Sequence, residues 1–367
     1  MSIMFETTRI GNLELANRFV RSATWEGMAT KEGAMTPRLL AMNEELAKGG
    51  VGLIIASHAY VSEEGQATPL QTGIYKDELV PGLREMVDRV HSHGGKIVAQ
   101  LAHGGRFASE ALTGQPAWMV SEWDGQDKNP GRVLTPDDIA ILAEKFGQAA
   151  SRAKAAGFDG VQIHSGHGYL LSQFLSPVMN QRTDQYGGSI ENRSKAHMEV
   201  YQAIRDAVGP DYPVMIKLNG SDFLENGLEA EDSLVVAQAL EKAGLDALEL
   251  TGGILSSRKF SPSRANINTP EKEAYFRDQA RFFKEKLGIP LILVGGMRSF
   301  DLAEQLVSQG VADYVSMSRP FIREPDLINR WKSGDRSPAK CISDNLCFQP
   351  GRAGEGIRCV TAEREKK

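Results

Sequence analysis

KAGLDALEL, residues 242–250, reads as the end of a helix, a glycine, and a short aliphatic run of strand character. Glycine suits such a joint because the residue after a helix often takes positive φ, where a Cβ is penalised. The same joint recurs as AKGGVGLII (47–55), SHGGKIVAQL (92–101), AAGFDGVQIH (155–164), AVGPDYPVMIKL (207–218), KLGIPLILV (286–294) and SQGVADYVSMS (308–318). The stretches ahead of the joints carry helical spacing: Leu39, Met42 and Leu46; Leu83, Val87 and Val90; Ile139, Leu142 and Phe146. Thr36-Pro37 and Thr135-Pro136 each set a capping hydroxyl before a first-turn proline, and Asp137 and Asp138 favour the positive helix end.

An initial strand near 17–23 and seven such joints make about eight strands alternating with helices. The strands are continuous apolar runs, as in a parallel sheet covered by helices. This predicts an α/β fold, a (β/α)8 TIM barrel, which needs about 250 residues plus insertions. We read residues 1–367 as a single domain. Ile10-Gly11-Asn12-Leu13 reads as a two-residue hairpin turn, placed as a lid over the barrel bottom. Residues 102–134 show no strand signal and follow the third strand, so they read as a long loop and substrate lid rather than a linker. An open doubly wound sheet is the alternative; it lacks a G-x-G-x-x-G after the first strand.

The chain of 367 residues has a net charge of −5, with acids and bases mixed along its length. No basic stripe suggests nucleic acid or an anionic membrane, and no window reaches bilayer-spanning length. The three cysteines, Cys341, Cys347 and Cys359, with no secretory leader, read as a reduced cytoplasmic protein.

In a barrel the polar residues at strand C-termini face the active site. Here these are Ser22-Ala23-Thr24, Ser57-His58, Gln100, His164 with His167 and Tyr169 beyond it, Lys217, Glu249 and Thr251, Gly295-Gly296, and Ser318-Arg319. The last two pairs follow strands seven and eight, where barrels hold phosphate: glycine lets the backbone approach and Arg supplies a fork of donors. HSGHGY (164–169) admits three readings: two metal-ligating histidines, histidines that cap the next helix, or two imidazole donors gripping a carbonyl oxygen with the Tyr169 phenol delivering a proton. Gly166 and Gly168 disfavour the helix that a metal pair needs. Gln100 and Lys217 suit a ring with imide and carbonyl groups.

Together these residues resemble the Old Yellow Enzyme family, in the branch that also holds 2,4-dienoyl-CoA reductase and trimethylamine dehydrogenase. The resemblance covers nearly the whole chain. Its most specific stretch is HSGHGYLLSQFLSPVMNQRTDQYGGSIENR (164–193), with NRFVRSAT (17–24), QLAHGGR (100–106) and GGM…SMSRP (295–320) in matching order. It implies FMN as cofactor and NAD(P)H as reductant. It implies that His164 and His167 bind a substrate carbonyl and that Tyr169 protonates Cα. Gln100 and Lys217 would meet the flavin pyrimidine end, Ser22, Ala23, Thr24 and His58 would line the flavin, and Gly295, Gly296, Ser318 and Arg319 would hold its phosphate.

Several positions depart from the family pattern. Trp25 stands where relatives carry Thr or Cys tuning the flavin, His58 where many have a small residue, and Ser318 where a Gly is common. Glu26 is expected to face the substrate together with Trp25. Larger relatives bind an iron–sulfur cluster through four cysteines; CISDNLC (341–347) has Asp344 at one of those positions, so no metal is expected. The chain ends at Lys367, so no downstream FAD or nucleotide domain is expected either. The implied activity is reduction of the C=C bond of α,β-unsaturated carbonyl compounds. An FMN-dependent amine dehydrogenase, or a flavin-free barrel enzyme acting on a phosphorylated metabolite, stays open, as does a homo-oligomeric state.

Overall fold

The repeated joints close into a barrel. The computed structural model describes residues 2–122 and 131–366. Its strands are β1 (Thr8–Ile10), β2 (Leu13–Leu15), β3 (Phe19–Arg21), β4 (Leu53–Tyr60), β5 (Ile97–Ala102), β6 (Ala117–Met119), β7 (Gly131–Val133), β8 (Val161–Ser165), β9 (Val214–Asn219), β10 (Ala247–Thr251), β11 (Leu291–Leu293) and β12 (Tyr314–Met317). The order β10-β11-β12-β3-β4-β5-β8-β9 forms a closed parallel barrel. All seven joints lead into barrel strands, and closure rules out the open doubly wound sheet. Gly157 (φ 92°) and Gly244 (φ 101°) show why glycine stands at the joints. Gly288 solves its joint differently: its N–H donates to the Glu241 carboxylate at 2.6 Å.

Helices pack outside the strands through the expected faces. Leu83, Val87 and Val90 of Val80–Ser92 are buried, as are Ile139, Leu142 and Phe146 of Pro136–Ala156. On helix Pro37–Lys48 the stripe runs Leu39, Asn43, Leu46 instead, and Met42 is only half-buried. Asn43 tolerates the core because its amide donates to the Leu39 carbonyl at 3.0 Å.

Both threonine caps form. Thr135 accepts from the Asp138 N–H at 3.2 Å, and the Asp138 carboxylate accepts from the Thr135 N–H at 2.9 Å. Thr135→Ala is expected to cost about 1 kcal/mol, read as a lower urea midpoint. An unchanged midpoint would mean that the Arg132–Asp138 pair (2.6 Å) holds this helix end alone.

The hairpin β1–β2 forms with Ile10 opposite Leu13. Its Ile10, Leu13 and Leu15 pack with Val20, Leu53, Ile55, Val98, Met215, Ala247, Ile292 and Tyr314, the lower interior of the barrel. It stoppers the bottom, as the sequence predicts. Higher up, β4 carries one extra residue: Ile55 pairs with Val98, but the next pair is His58 with Gln100. Ile55 packs inside and Ala56 and Ala59 pack outside, so the one-residue bulge turns His58 inward where simple alternation would have turned Ser57.

The loop after β5 is not strand-free. It holds the short parallel pair β6–β7, and Trp118 of β6 stacks on His103 at 5.2 Å. Strands of three residues are too short for alternation to show. Residues 123–130 of the predicted lid lie outside the described residues. No described helix is long and apolar enough to cross a membrane.

Candidate functional site

Above the apolar lower layer, a polar layer crosses the barrel with Glu249 at its centre. Its Oε1 accepts from Ser22 Oγ (2.7 Å), Ser316 Oγ (2.8 Å) and Lys217 Nζ (3.0 Å); its Oε2 accepts from Gln162 Nε2 (3.0 Å). Gln162 Oε1 accepts from Gln100 Nε2 (2.7 Å), and Lys217 also donates to Ser22 Oγ (2.6 Å). Burial pushes the Glu249 carboxyl upward, but the Lys217 charge and the donated hydrogen bonds outweigh it and hold it below the usual carboxylate range. Glu249 is fully buried, so Lys217 enters the barrel already paired. Of this layer, sequence reasoning named Ser22, Gln100 and Lys217 as site residues; it missed Gln162 and Ser316 and gave Glu249 no role.

Over this layer lies a cavity of about 210 Å³, lined by Ser22, Ala23, Thr24, Trp25, His58, Gln100, His164, His167, Tyr169, Lys217, Gly296, Ser318 and Arg319 among others. Most of the residues singled out from the sequence therefore meet in one place. Gly295 does not line it: a Cβ there would press on Phe276 and Tyr275, so its part is to let the backbone pass these rings at φ 134°. Glu26 needs correction. Its carboxylate is 2 % exposed and pairs with Arg21 at 2.5 Å, away from the cavity lining. A carboxylate that follows a barrel strand found a buried guanidinium first, and Arg21 is in turn fixed by the Ile55 carbonyl at 2.8 Å.

One end of the cavity is a ring cluster. His164 stands 5.3 Å from His167, 4.6 Å from Tyr169 and 6.0 Å from His58, centroid to centroid. The Tyr169 hydroxyl lies 3.1 Å from His58 Nε2. His167 sits at φ +64°, where its N–H donates to Asn219 Oδ1 (3.1 Å) and its Nε2 lies 2.9 Å from Thr251 Oγ1. His164 Nδ1 is buried with no hydrogen-bond partner among the described residues. Burial holds both His164 and His167 well below the ordinary imidazole range, helped by the Lys217 charge, so both are neutral; it also pushes the Tyr169 phenol up, so it keeps its proton. Neutral imidazoles each offer one N–H. For His167 to offer Nδ1–H, Thr251 must donate to its Nε2.

The other end is built for an anion. Thr24 donates to the Ser22 carbonyl at 3.0 Å, so the Ser318 hydroxyl, 2.6 Å away, donates to Thr24. Arg319 Nη1 is anchored by the Arg264 carbonyl (2.9 Å) and Asn345 Oδ1 (2.6 Å). Among the described residues no carboxylate pairs with it, which leaves its charge for a ligand. Asn345, with Ser343 and Phe348 that line the cavity, comes from the cysteine-bearing tail. Sequence reasoning missed all three, although Ser343 and Asn345 lie inside CISDNLC and Phe348 follows it. Cys341 and Cys347 are buried and burial pushes both thiols up, Cys347 to about 12. Among the described residues no group of three or more His, Cys, Asp or Glu is placed to hold a metal ion.

A second cavity of about 570 Å³, lined by Trp25, Ala67, Pro69, Leu70, Phe107 and Leu255 among others, shares His167 and Tyr169 with the first. The inner cavity suits FMN: an amide and a lysine of the polar layer line its floor, neutral imidazoles with one unpartnered nitrogen stand at one end, and a guanidinium with no carboxylate partner among the described residues stands at the other.

Comparison with known proteins agrees with this geometry. The chain is 38% identical to a metal reductase of Desulforamulus reducens over 347 residues, 94% of this chain and 51% of that protein. It is 32% identical to an NADPH dehydrogenase of Listeria welshimeri over 328 residues, 89% and 93% of the two chains. The structure of the old yellow enzyme homologue from Zymomonas mobilis superposes with a TM-score of 0.80 at 25% identity, covering 98% of this chain and 97% of that one. The chain thus spans about half the length of some curated relatives and nearly all of others. A profile of the NADH:flavin oxidoreductase / NADH oxidase family matches residues 3–337. FMN and NAD(P)H are the cofactors that this kinship brings. The chain belongs to the NADH:flavin oxidoreductase / NADH oxidase family.

Proposed function

We propose that this chain is an ene-reductase: it reduces the C=C bond of α,β-unsaturated carbonyl compounds at the expense of NAD(P)H. The observation that carries the reading is the cluster of two neutral imidazoles and a protonated phenol in one buried cavity. FMN, when bound, supplies the hydride that enters Cβ. His164 and His167 orient the substrate by donating N–H groups to its carbonyl oxygen, which gains negative charge as the hydride arrives. Tyr169 holds the proton that goes to Cα. Gln100 and Lys217 orient the flavin's polar edge, and Ser318 and Arg319 its phosphate. Trp25 and Phe107 wall the outer cavity and exclude water. The free thiols favour the cytoplasm as its compartment.

The test is anaerobic. Purified protein that is yellow, bleaches with NADH or NADPH, and regains colour on adding 2-cyclohexenone supports the reading. Bleaching by an amine without nucleotide replaces it with amine oxidation. Colourless protein that takes up no FMN removes it.

A further inference from the structure

We propose that His58 is a positioning residue for proton delivery: its Nε2–H donates to the Tyr169 oxygen, leaves the phenol proton facing the substrate, and stabilises the phenolate formed when that proton has gone. The inference rests on the reading of Tyr169 as proton donor.

Geometry carries it. His58 Nε2 and Tyr169 Oη are 3.1 Å apart, and the rings meet edge to face at 5.3 Å. Among the described residues, His58 is the hydroxyl's only hydrogen-bond partner. Both side chains line the inner cavity. The bulge in β4 is what brings His58 there: without the extra residue between Ile55 and His58, Ser57 would face inward. A bulge beside an active site commonly re-aims one side chain.

The chemistry needs such a donor. As Cβ receives hydride, the alkene's electron pair is left at Cα; the Tyr169 O–H bond breaks, its proton bonds to Cα, and the oxygen keeps the bonding pair. The resulting phenolate lies in a buried setting that already pushes its ionisation upward. A hydrogen bond to a charged oxygen is worth more than one to a neutral hydroxyl, so donation from His58 favours the product side of the transfer. His58 is not itself the acid. Burial, with the charges of Arg21 and Lys217, pulls its imidazole down to about 4, so it is neutral at ordinary pH. The proton that restores the phenol then comes from water entering as product leaves.

The tautomer is the direct readout. Histidine-15N NMR of the FMN-loaded protein is expected to show His58 protonated at Nε2; protonation at Nδ1 alone overturns the proposal. His58→Ala is expected to slow alkene reduction about 10-fold or more and to enlarge the solvent isotope effect on that step, because proton transfer becomes limiting. His58→Gln, which keeps an N–H at a similar reach, should recover most of the loss. If His58→Ala fails to bind FMN, His58→Met of similar bulk takes its place. In a Tyr169→Phe background His58→Ala should add nothing. If Tyr169→Phe alone leaves the rate and isotope effect unchanged, the proton-donor reading itself falls. If Tyr169→Phe slows the step and His58→Ala does not, only the role of His58 falls.

Discussion

Glu249→Ala is expected to cost about 3–5 kcal/mol of folding stability. The reason is what it leaves behind. Lys217 is 3 % exposed and has its ammonium 3.0 Å from Glu249 Oε1; without that carboxylate a cation stays in the barrel with a serine hydroxyl as its remaining partner. Ser316 and Gln162 lose their acceptor as well. The measurement is urea unfolding of the variant beside the parent. Lys217→Met with Glu249→Leu should regain much of the loss, since an apolar pair of similar volume often replaces a buried ion pair at little cost. A loss below about 1 kcal/mol for Glu249→Ala would show that water enters the layer and solvates Lys217.

His164→Ala should lower the rate of enone reduction by about 100-fold, the usual effect of deleting one donor to a developing oxyanion. The ring is buried and its Nδ1 has no partner among the described residues, so that nitrogen's hydrogen-bonding capacity is open to a ligand. Stopped-flow mixing of reduced protein with 2-cyclohexenone isolates the step. Full activity in the variant would end the assignment of His164 to the carbonyl.

Much of this was legible in the chain because the local and global signals agree. The glycine joints and the periodic faces of 80–92 and 136–156 led directly to barrel units, and the hairpin turn at Gly11 and Asn12 was specific enough to place. The ends of the strands then named most of the cavity. What stayed hidden was partnership. Glu26 and Lys217 both looked like charges seeking a ligand, but each finds its counter-charge through folding: Arg21 lies five residues before Glu26, and Glu249 lies on the neighbouring strand in register with Lys217. Periodicity shows which way a side chain faces, not what waits there. The β4 bulge was hidden for a related reason. Leu53–Tyr60 is buried on both faces, so an extra residue leaves no break in an alternation of apolar and exposed positions. Asn345 and Phe348 belong to a segment without regular periodicity and reach the site by long-range packing alone.

The stoppered bottom has a consequence for traffic. Because Ile10, Leu13 and Leu15 fill the lower interior, nothing passes through the barrel from below, and among the described residues the ring cluster opens to the outer cavity that Trp25 and Phe107 wall. On the proposed function that cavity is one vestibule for two visitors. The nicotinamide donor must vacate before the acceptor can enter, and each product must leave by the door its successor uses. On that function occupancy becomes a queue, and kinetics of the ping-pong form, with an excess of either visitor blocking the other's turn, are the expected result.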